Sequence, residues 1–312
     1  MRASTRALVT QNEPRFAIFA EIHSMSAARR AADVAQRLFA NRAAAVSVTL
    51  LSALSLAAVA AHWISPWAYD AIDWEHIAAA PGAGAHHWFG TDDAGRDLFS
   101  RTLIGAQVSL SVGLLATAVS LAIGVPWGAL AGFFGGRIDG WMMRTVDVLY
   151  SLPFLFLVIL LVVVFGRNIY LIFLALGAVS WLDLARIVRG QTLVLKQRPF
   201  VELARAGGVP AWRILFAHIV PNLLGPVIVY ATLTVPGVML AESFISFLGL
   251  GVQEPLTSFG VLIAEGTQQM ETAPWMLIFP ASFLAVTLIA FNYFGDGLRD
   301  ALDPGTDARF IA

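Results

Sequence analysis

Long apolar runs separated by polar connections set the plan of this chain. Six stretches carry little or no charge: 43–64, 108–131, 148–165, 168–187, 218–241 and 272–295. A helix of about 20 apolar residues crosses the ~30 Å hydrocarbon core of a bilayer. The pattern therefore predicts an all-α, polytopic membrane protein with six transmembrane helices. The fourth run is uncharged only over 168–182, about 22 Å of helix, so Asp183 and Arg186 are placed near the inner interface, spaced to pair on one helix face. Pro153 lies near the start of the third run, and Gly225-Pro226 and Pro236-Gly237 are expected to break the fifth. Residues 243–253 are uncharged but too short to cross, and Gly249 and Gly251 disfavour a helix there, which predicts a re-entrant or interfacial segment.

The connections differ in character. Residues 1–42 are basic, with seven arginines; 1–25 read as a loosely ordered tail and 27–40 as an interfacial helix with Val34, Leu38 and Phe39 against lipid. Residues 65–107 are acidic. There Thr91 or Asp92 is expected to cap a helix leading into the second run, with Arg96 pairing with Asp92 or Asp93. A cap and a salt-bridged turn explain this loop better than direct substrate contact. Residues 199–221 form a polar connection of unusual size. Pro199 suits a first helical turn, Phe200, Ala204 and Gly208 recur at a spacing of four, and Gly207-Gly208 ends the helix. A second short amphipathic segment follows, with Trp212, Leu215 and Phe216 apolar and Arg213 and His218 polar, and Pro221 opens the fifth run. Two short helices bent about a glycine make a surface knob shaped to enter another protein's cleft. Residues 296–312 return to arginine and aspartate.

Charge then gives the orientation. With the N-terminus inside, Lys and Arg number seven in the first tail, two at Arg137 and Arg144, six from Arg186 to Arg213 and two in the last tail. Only Arg96, Arg101 and Arg167 lie outside. The positive-inside rule thus puts both termini and the 199–221 knob in the cytoplasm. Of 312 residues 58% are hydrophobic and 13% charged, against about 25% charged in soluble domains. The net charge of −1 gives no signal for nucleic acid. The absence of cysteine excludes disulfides, thiolate metal sites and Cys nucleophiles. Lys196 is the one lysine and lies outside any Gly-Lys-Ser/Thr phosphate loop, so any ATP driving this chain is hydrolysed by another.

No catalytic constellation emerges. The six histidines are scattered; the His86-His87 pair sits on a Gly/Ala-rich loop and reads as solvated, with no metal site expected. Asp147, Asp183 and Glu242 fall close to run ends, leaving the run middles neutral. This disfavours a carrier driven by a buried titrating group. An ion-coupled carrier or a membrane scaffold without a pore remain the alternatives on pattern alone.

Four segments in order carry a family resemblance. Glu202, Ala204, Gly208, Ile219 and Pro221 resemble the EAA loop of bacterial ABC importer permeases, with Leu203 and Val220 as mild departures. Residues 89–101 (FGTDDAGRDLFSR), 243–260 (SFISFLGLGVQEPLTSFG) and 291–305 (FNYFGDGLRDALDPG) are similar to segments of the dipeptide/oligopeptide/nickel permeases, C-type subunit. The resemblance implies a type I ABC importer permease fold in the bacterial cytoplasmic (inner) membrane, in contact with lipid. It implies a B-type permease partner, two ATPase subunits that use ATP-Mg, an extracytoplasmic binding protein, and no cofactor in this chain. It implies short peptides, nickel chelates or similar solutes as cargo. Glu202, Ala204, Gly208 and Pro221 would couple to the ATPase, Glu202 orienting the knob, Ala204 keeping its face small and Gly208 allowing the bend. Gly90, Thr91, Asp92, Gly95, Arg96 and Asp97 would form the external loop motif.

Overall fold

The computed structural model of the chain describes residues 27–82, 86–166 and 168–302; the expected tail over 1–25 and most of 296–312 lie outside them. Helices dominate the described residues, and only two isolated bridges, Ile72 with Arg96 and Thr91 with Asp97, interrupt the loops. The N-terminal helices are α1 (Ala27–Ala40), α2 (Arg42–Val59) and the single turn α3 (Ala61–Ile64). After the loop that follows α3 come α4 (Leu98–Phe134), α5 (Gly136–Tyr150), α6 (Phe154–Phe165) and α7 (Ile169–Leu195). The knob holds α8 (Pro199–Ala206) and α9 (Ala211–Ile214); a π turn over Leu215–Ile219 leads into α10 (Val220–Phe247). The chain ends with α11 (Phe259–Gln268) and α12 (Trp275–Leu302).

Five helical stretches are long and apolar enough to cross a membrane: Arg42–Val59, Leu98–Phe134, Tyr170–Leu195, Ala211–Phe247 and Trp275–Leu302. The third expected span is not one helix. Pro153 holds Leu152 out of the helical region and divides the run into α5 and the 12-residue α6. At about 18 Å, α6 is shorter than a span. The fifth run behaves in the opposite way. Pro226 and Pro236 lie inside α10 without ending it, because neighbouring helices hold a membrane helix through a proline. Residues 243–247 complete α10 and are not part of a re-entrant segment; the chain leaves the helix only at Leu248, with Gly249 at a φ of 76°.

The pair α4–α7 sits at the centre of the bundle. Gly124, Gly128 and Gly132 recur every four residues on α4, so they form one stripe. A Cβ on Gly128 would lie 2.3 Å from the Ala185 carbonyl oxygen, and one on Gly132 2.8 Å from that of Arg189. The two backbones touch along this stripe, as dispersion-driven packing in lipid requires. On its other side α4 meets α10, where Gly113 faces Met239 and Val235. α12 packs against α2 and α10. The N-terminal helix α1 departs from expectation. Leu38 is buried, not in lipid, and with Val34 packs on Ala44, Val229, Leu298 and Ala301; Phe39 alone of the three stays exposed. The last turns of α12 supply the apolar surface that captures it.

Candidate functional site

The knob is built from local rules. Pro199 occupies the first turn of α8, where its missing N–H costs nothing, and Glu202 sits in the same turn near the positive helix end. Gly208 adopts a φ of 75°. The Val209 N–H donates to the Ala204 carbonyl at 3.0 Å and the Gly208 N–H to that of Arg205 at 3.0 Å, closing a Schellman cap that turns the chain by means of glycine. Val201, Ile214, Leu215 and Ile219 are buried against Ala129 and Phe133 of α4 and Val188 of α7. The outer side is left apolar and cationic. Leu203 is 72%, Trp212 59% and Phe216 61% exposed, beside Arg205 and Arg213. Of the predicted residues, Ala204 is half-buried with the knob core, and Glu202, Gly208 and Pro221 are exposed. Leu215, grouped with Trp212 and Phe216 by sequence, is buried.

The π turn explains Pro221. A proline inside a helix removes one donor and crowds the preceding turn. Here the Val220 N–H reaches back five residues to Leu215, a widened turn that lets the helix run on from Ala211 to Phe247.

The motif over 90–97 anchors a polar network. Asp97, and not Thr91 or Asp92, caps α4: its Oδ2 accepts from the Ser100 N–H at 2.7 Å and the Ser100 hydroxyl at 2.7 Å. Thr91 instead staples the loop, accepting from the Ala79 N–H at 2.8 Å and donating to the His76 carbonyl. Asp92 is fully buried. Its Oδ1 accepts from the Ala94 and Arg96 N–H groups at 2.9 and 2.8 Å, and its Oδ2 from Arg96 Nε at 2.8 Å and from Arg101. Arg96 continues to Glu254 at 2.8 Å, and the buried Arg101 makes a two-pronged pair with Glu265 at 2.7 and 3.0 Å. Burial opposes the charge on Arg96, but its hydrogen bond to Glu254 and the charge of Asp92 outweigh it and raise its pKa. The hydrogen bond from Arg96, then its charge, lowers that of Glu254. Gly90 and Gly95 have φ of 79° and 81°, and a Cβ on either would strike the Ala79 or Asp73 carbonyl. Sequence reading found the Asp92–Arg96 pair but missed Arg101, Glu254 and Glu265, which lie up to 164 positions apart.

The expected solvated histidine pair divides: His86 is exposed and His87 is not. His87 is fully buried, stacked on Trp67 at 4.7 Å, with Nδ1 2.8 Å from Asp97 Oδ1 and Nε2 3.3 Å from Asp73 Oδ2. His76 Nδ1 lies 2.9 Å from the same Asp73 oxygen. Backbone donation from Glu75 comes first among the causes that lower the pKa of Asp73. A His and carboxylate cluster is therefore present, made by loop folding that adjacency in sequence conceals.

Two acidic groups expected at span ends lie within helices. Glu242 is fully buried in α10, accepting from Ser109 of α4 at 3.1 Å and Ser246 at 2.6 Å. The Ser109 hydroxyl oxygen in turn accepts from the Phe259 N–H at 3.2 Å, so one carboxyl holds three elements. Asp183 lies near the middle of α7 and is exposed; Arg186 pairs with Asp147 at 2.9 Å and not with Asp183. A cleft of about 280 Å³ between α7 and α10 is lined by Leu176, Ser180, Asp183, Tyr230, Thr234 and Gly237, among others.

A membrane bundle with a firmly seated knob whose outer side stays apolar defines a transport-type membrane subunit. Residues 124–308 match the family described as binding-protein-dependent transport system inner membrane component. Residues 30–81 match the N-terminal TM domain of oligopeptide transport permease C. The chain is 53% identical over 272 residues to the oligopeptide transport system permease protein OppC of Haemophilus influenzae, covering 87% of this chain and 88% of that protein. It is 52% identical over 272 residues to OppC of Escherichia coli K12, covering 87% and 90%. It is 44% identical over 273 residues to the dipeptide transport system permease protein DppC of Bacillus subtilis, covering 87% and 85%. The chain belongs to the binding-protein-dependent inner-membrane component family and is a permease subunit of an ABC importer.

Proposed function

We propose that the chain forms half of a translocation pathway for short peptides, coupled to separate ATPase subunits through the 199–221 knob. The exposed trio Leu203, Trp212 and Phe216, flanked by Arg205 and Arg213, carries the reading. An apolar patch rimmed by charge on a seated element is built for a protein partner. In this reading two ATPase subunits bind the ATP-Mg and hydrolyse it, one docking on this knob and one on that of a B-type permease. This chain holds no cofactor and catalyses nothing. A binding protein delivers peptide at the outer face, and the cleft between α7 and α10, with Asp183 in its wall, contributes to the path. The arginine count supports cytoplasmic termini and knob. Glu202 has no ion pair among the described residues, which leaves it for the partner.

The mechanism follows from the packing. The knob core is locked to α4 and α7 and is continuous with α10. Closure of the ATPase pair would move the knob and tilt all three helices together, opening the cleft to one side and then the other. Leu203→Asp, at a 72% exposed position, keeps the fold and is expected to abolish ATPase co-purification and peptide uptake. Gly208→Trp is expected to do the same while the chain still inserts. ATPase docking and uptake at normal levels in both variants would remove the knob from the mechanism.

A further inference from the structure

We propose that Asp73, His76 and His87 form a binding site for a divalent transition-metal ion, with Asp97 as the outer partner that orients His87. The argument starts from hydrogen positions. The carboxylate Asp97 already accepts two hydrogen bonds at its other oxygen as the α4 cap, so it meets His87 Nδ1 as an acceptor and Nδ1 carries the hydrogen. In a neutral imidazole, Nε2 then holds a lone pair. That lone pair faces Asp73 Oδ2, another acceptor, across 3.3 Å in a site where His87 is fully buried. Two acceptors facing each other at that range need a proton or a metal ion between them.

Three features favour a metal over a second proton on His87. Asp73 Oδ2, His76 Nδ1 and His87 Nε2 converge, all lying within 4.8 Å of one another. The 3.3 Å separation is long for a charge-assisted hydrogen bond, usually about 2.7–2.9 Å. It matches the ligand–ligand edge of a tetrahedral site with bonds of about 2.0–2.1 Å. Finally, the Asp97–His87 contact reproduces the carboxylate–histidine pairing that orients metal-bound imidazoles. Charge agrees. Among the described residues Asp73 and Asp97 form ion pairs only with histidines, while Arg96 and Arg101 are committed to Asp92, Glu254 and Glu265.

Two imidazoles and one carboxylate select a borderline ion such as Zn²⁺ over Mg²⁺ or Ca²⁺. His76 is 30% exposed and Asp73 13%, so a fourth position opens to solvent. A bound ion would pin the 73–76 turn to the start of α4. The site shares no residue with the cleft between α7 and α10 or with the knob.

The test uses the full chain with its co-purified partners, free of any polyhistidine tag, stripped with chelator and titrated with Co²⁺. One equivalent is expected to give the intense visible absorption of a tetrahedral nitrogen–oxygen site, displaced by Zn²⁺, with a rise in thermal midpoint. His76→Ala, at a half-exposed position that leaves the fold intact, is expected to weaken binding about tenfold or more. His86→Ala, at the exposed neighbouring residue, is expected to leave it unchanged. Absence of saturable Co²⁺ and Zn²⁺ binding, or binding that ignores both His76→Ala and Asp73→Asn, would overturn the proposal and assign the charge to a proton on His87.

Discussion

Replacing Gly128 by alanine tests whether the α4–α7 seam is set by backbone contact. The added methyl carbon would lie 2.3 Å from the Ala185 carbonyl oxygen and 2.8 Å from Val188 Cβ. Ordinary contact is near 3.4 Å, so the helices must part locally by roughly 1 Å, and Gly124 and Gly132 share the strain because they lie on the same stripe. Overpacking of this kind costs about 1–3 kcal/mol. Alanine also gains up to about 1 kcal/mol over glycine in helix propensity, so a control is needed. Gly190 on α7 serves, being helical, exposed and without any neighbour within 4 Å of an added Cβ. Gly190→Ala therefore reports propensity alone. Gly128→Ala is expected to be less stable than Gly190→Ala by about 1–3 kcal/mol. Unfolding of both variants in the same detergent, followed by far-ultraviolet circular dichroism, measures the difference. Equal stability of the two would refute the close-contact account of the seam.

Three further outcomes are expected. Arg101→Met removes one of the two arginines on the fully buried Asp92 and leaves Arg96 in place, so it should cost about 1–3 kcal/mol in the same unfolding assay. Glu242→Gln keeps acceptor and donor capacity for Ser109 and Ser246 and should be mild, whereas Glu242→Leu strands both hydroxyls and should cost about 1–3 kcal/mol by the same measurement. Glu254 titrates below its ordinary range because of Arg96. Its contribution is therefore present above the ordinary carboxylate pKa of about 4.3 and is lost as pH falls through the lowered native value. With its side chain 64% exposed, that contribution stays below about 1 kcal/mol. A pH series of thermal midpoints should show a small acid loss in the wild type that is absent from Glu254→Gln.

Five of the six expected long helices and the knob were legible because each is written in local periodicity. Apolar run length sets a helix that crosses lipid, and Pro199 with Gly207-Gly208 sets the ends of α8. Helix breaks were harder to read. Pro153 ends a helix while Pro226 and Pro236 do not, since the outcome depends on what packs around the freed carbonyls. The ends of the helices that carry Asp183 and Glu242 were set too early for a related reason. An uncharged run marks where charge is absent, not where the helix stops, and both helices continue past their first acid. The loop clusters were least legible. Arg101 with Glu265, and His87 with Asp73, meet only after distant segments fold together. Leu38 was assigned to lipid because most of its apolar partners, Val229, Leu298 and Ala301, lie far along the chain.

The unbroken stretch from Ala211 to Phe247 has a mechanical consequence. Thirty-seven helical residues make a rod about 55 Å long. One end is anchored in the knob, and Glu242, near the other, is tied to α4 and to the start of α11. A tilt of about 5° at the knob end sweeps the far tip by about 5 Å, close to one turn of helix. The π turn over Leu215–Ile219 and the internal Pro226 and Pro236 are the points at which such a tilt could be partly absorbed. Displacement at the knob reaches the far end to the extent that these points stay stiff, and the serines around Glu242 bear the load that arrives.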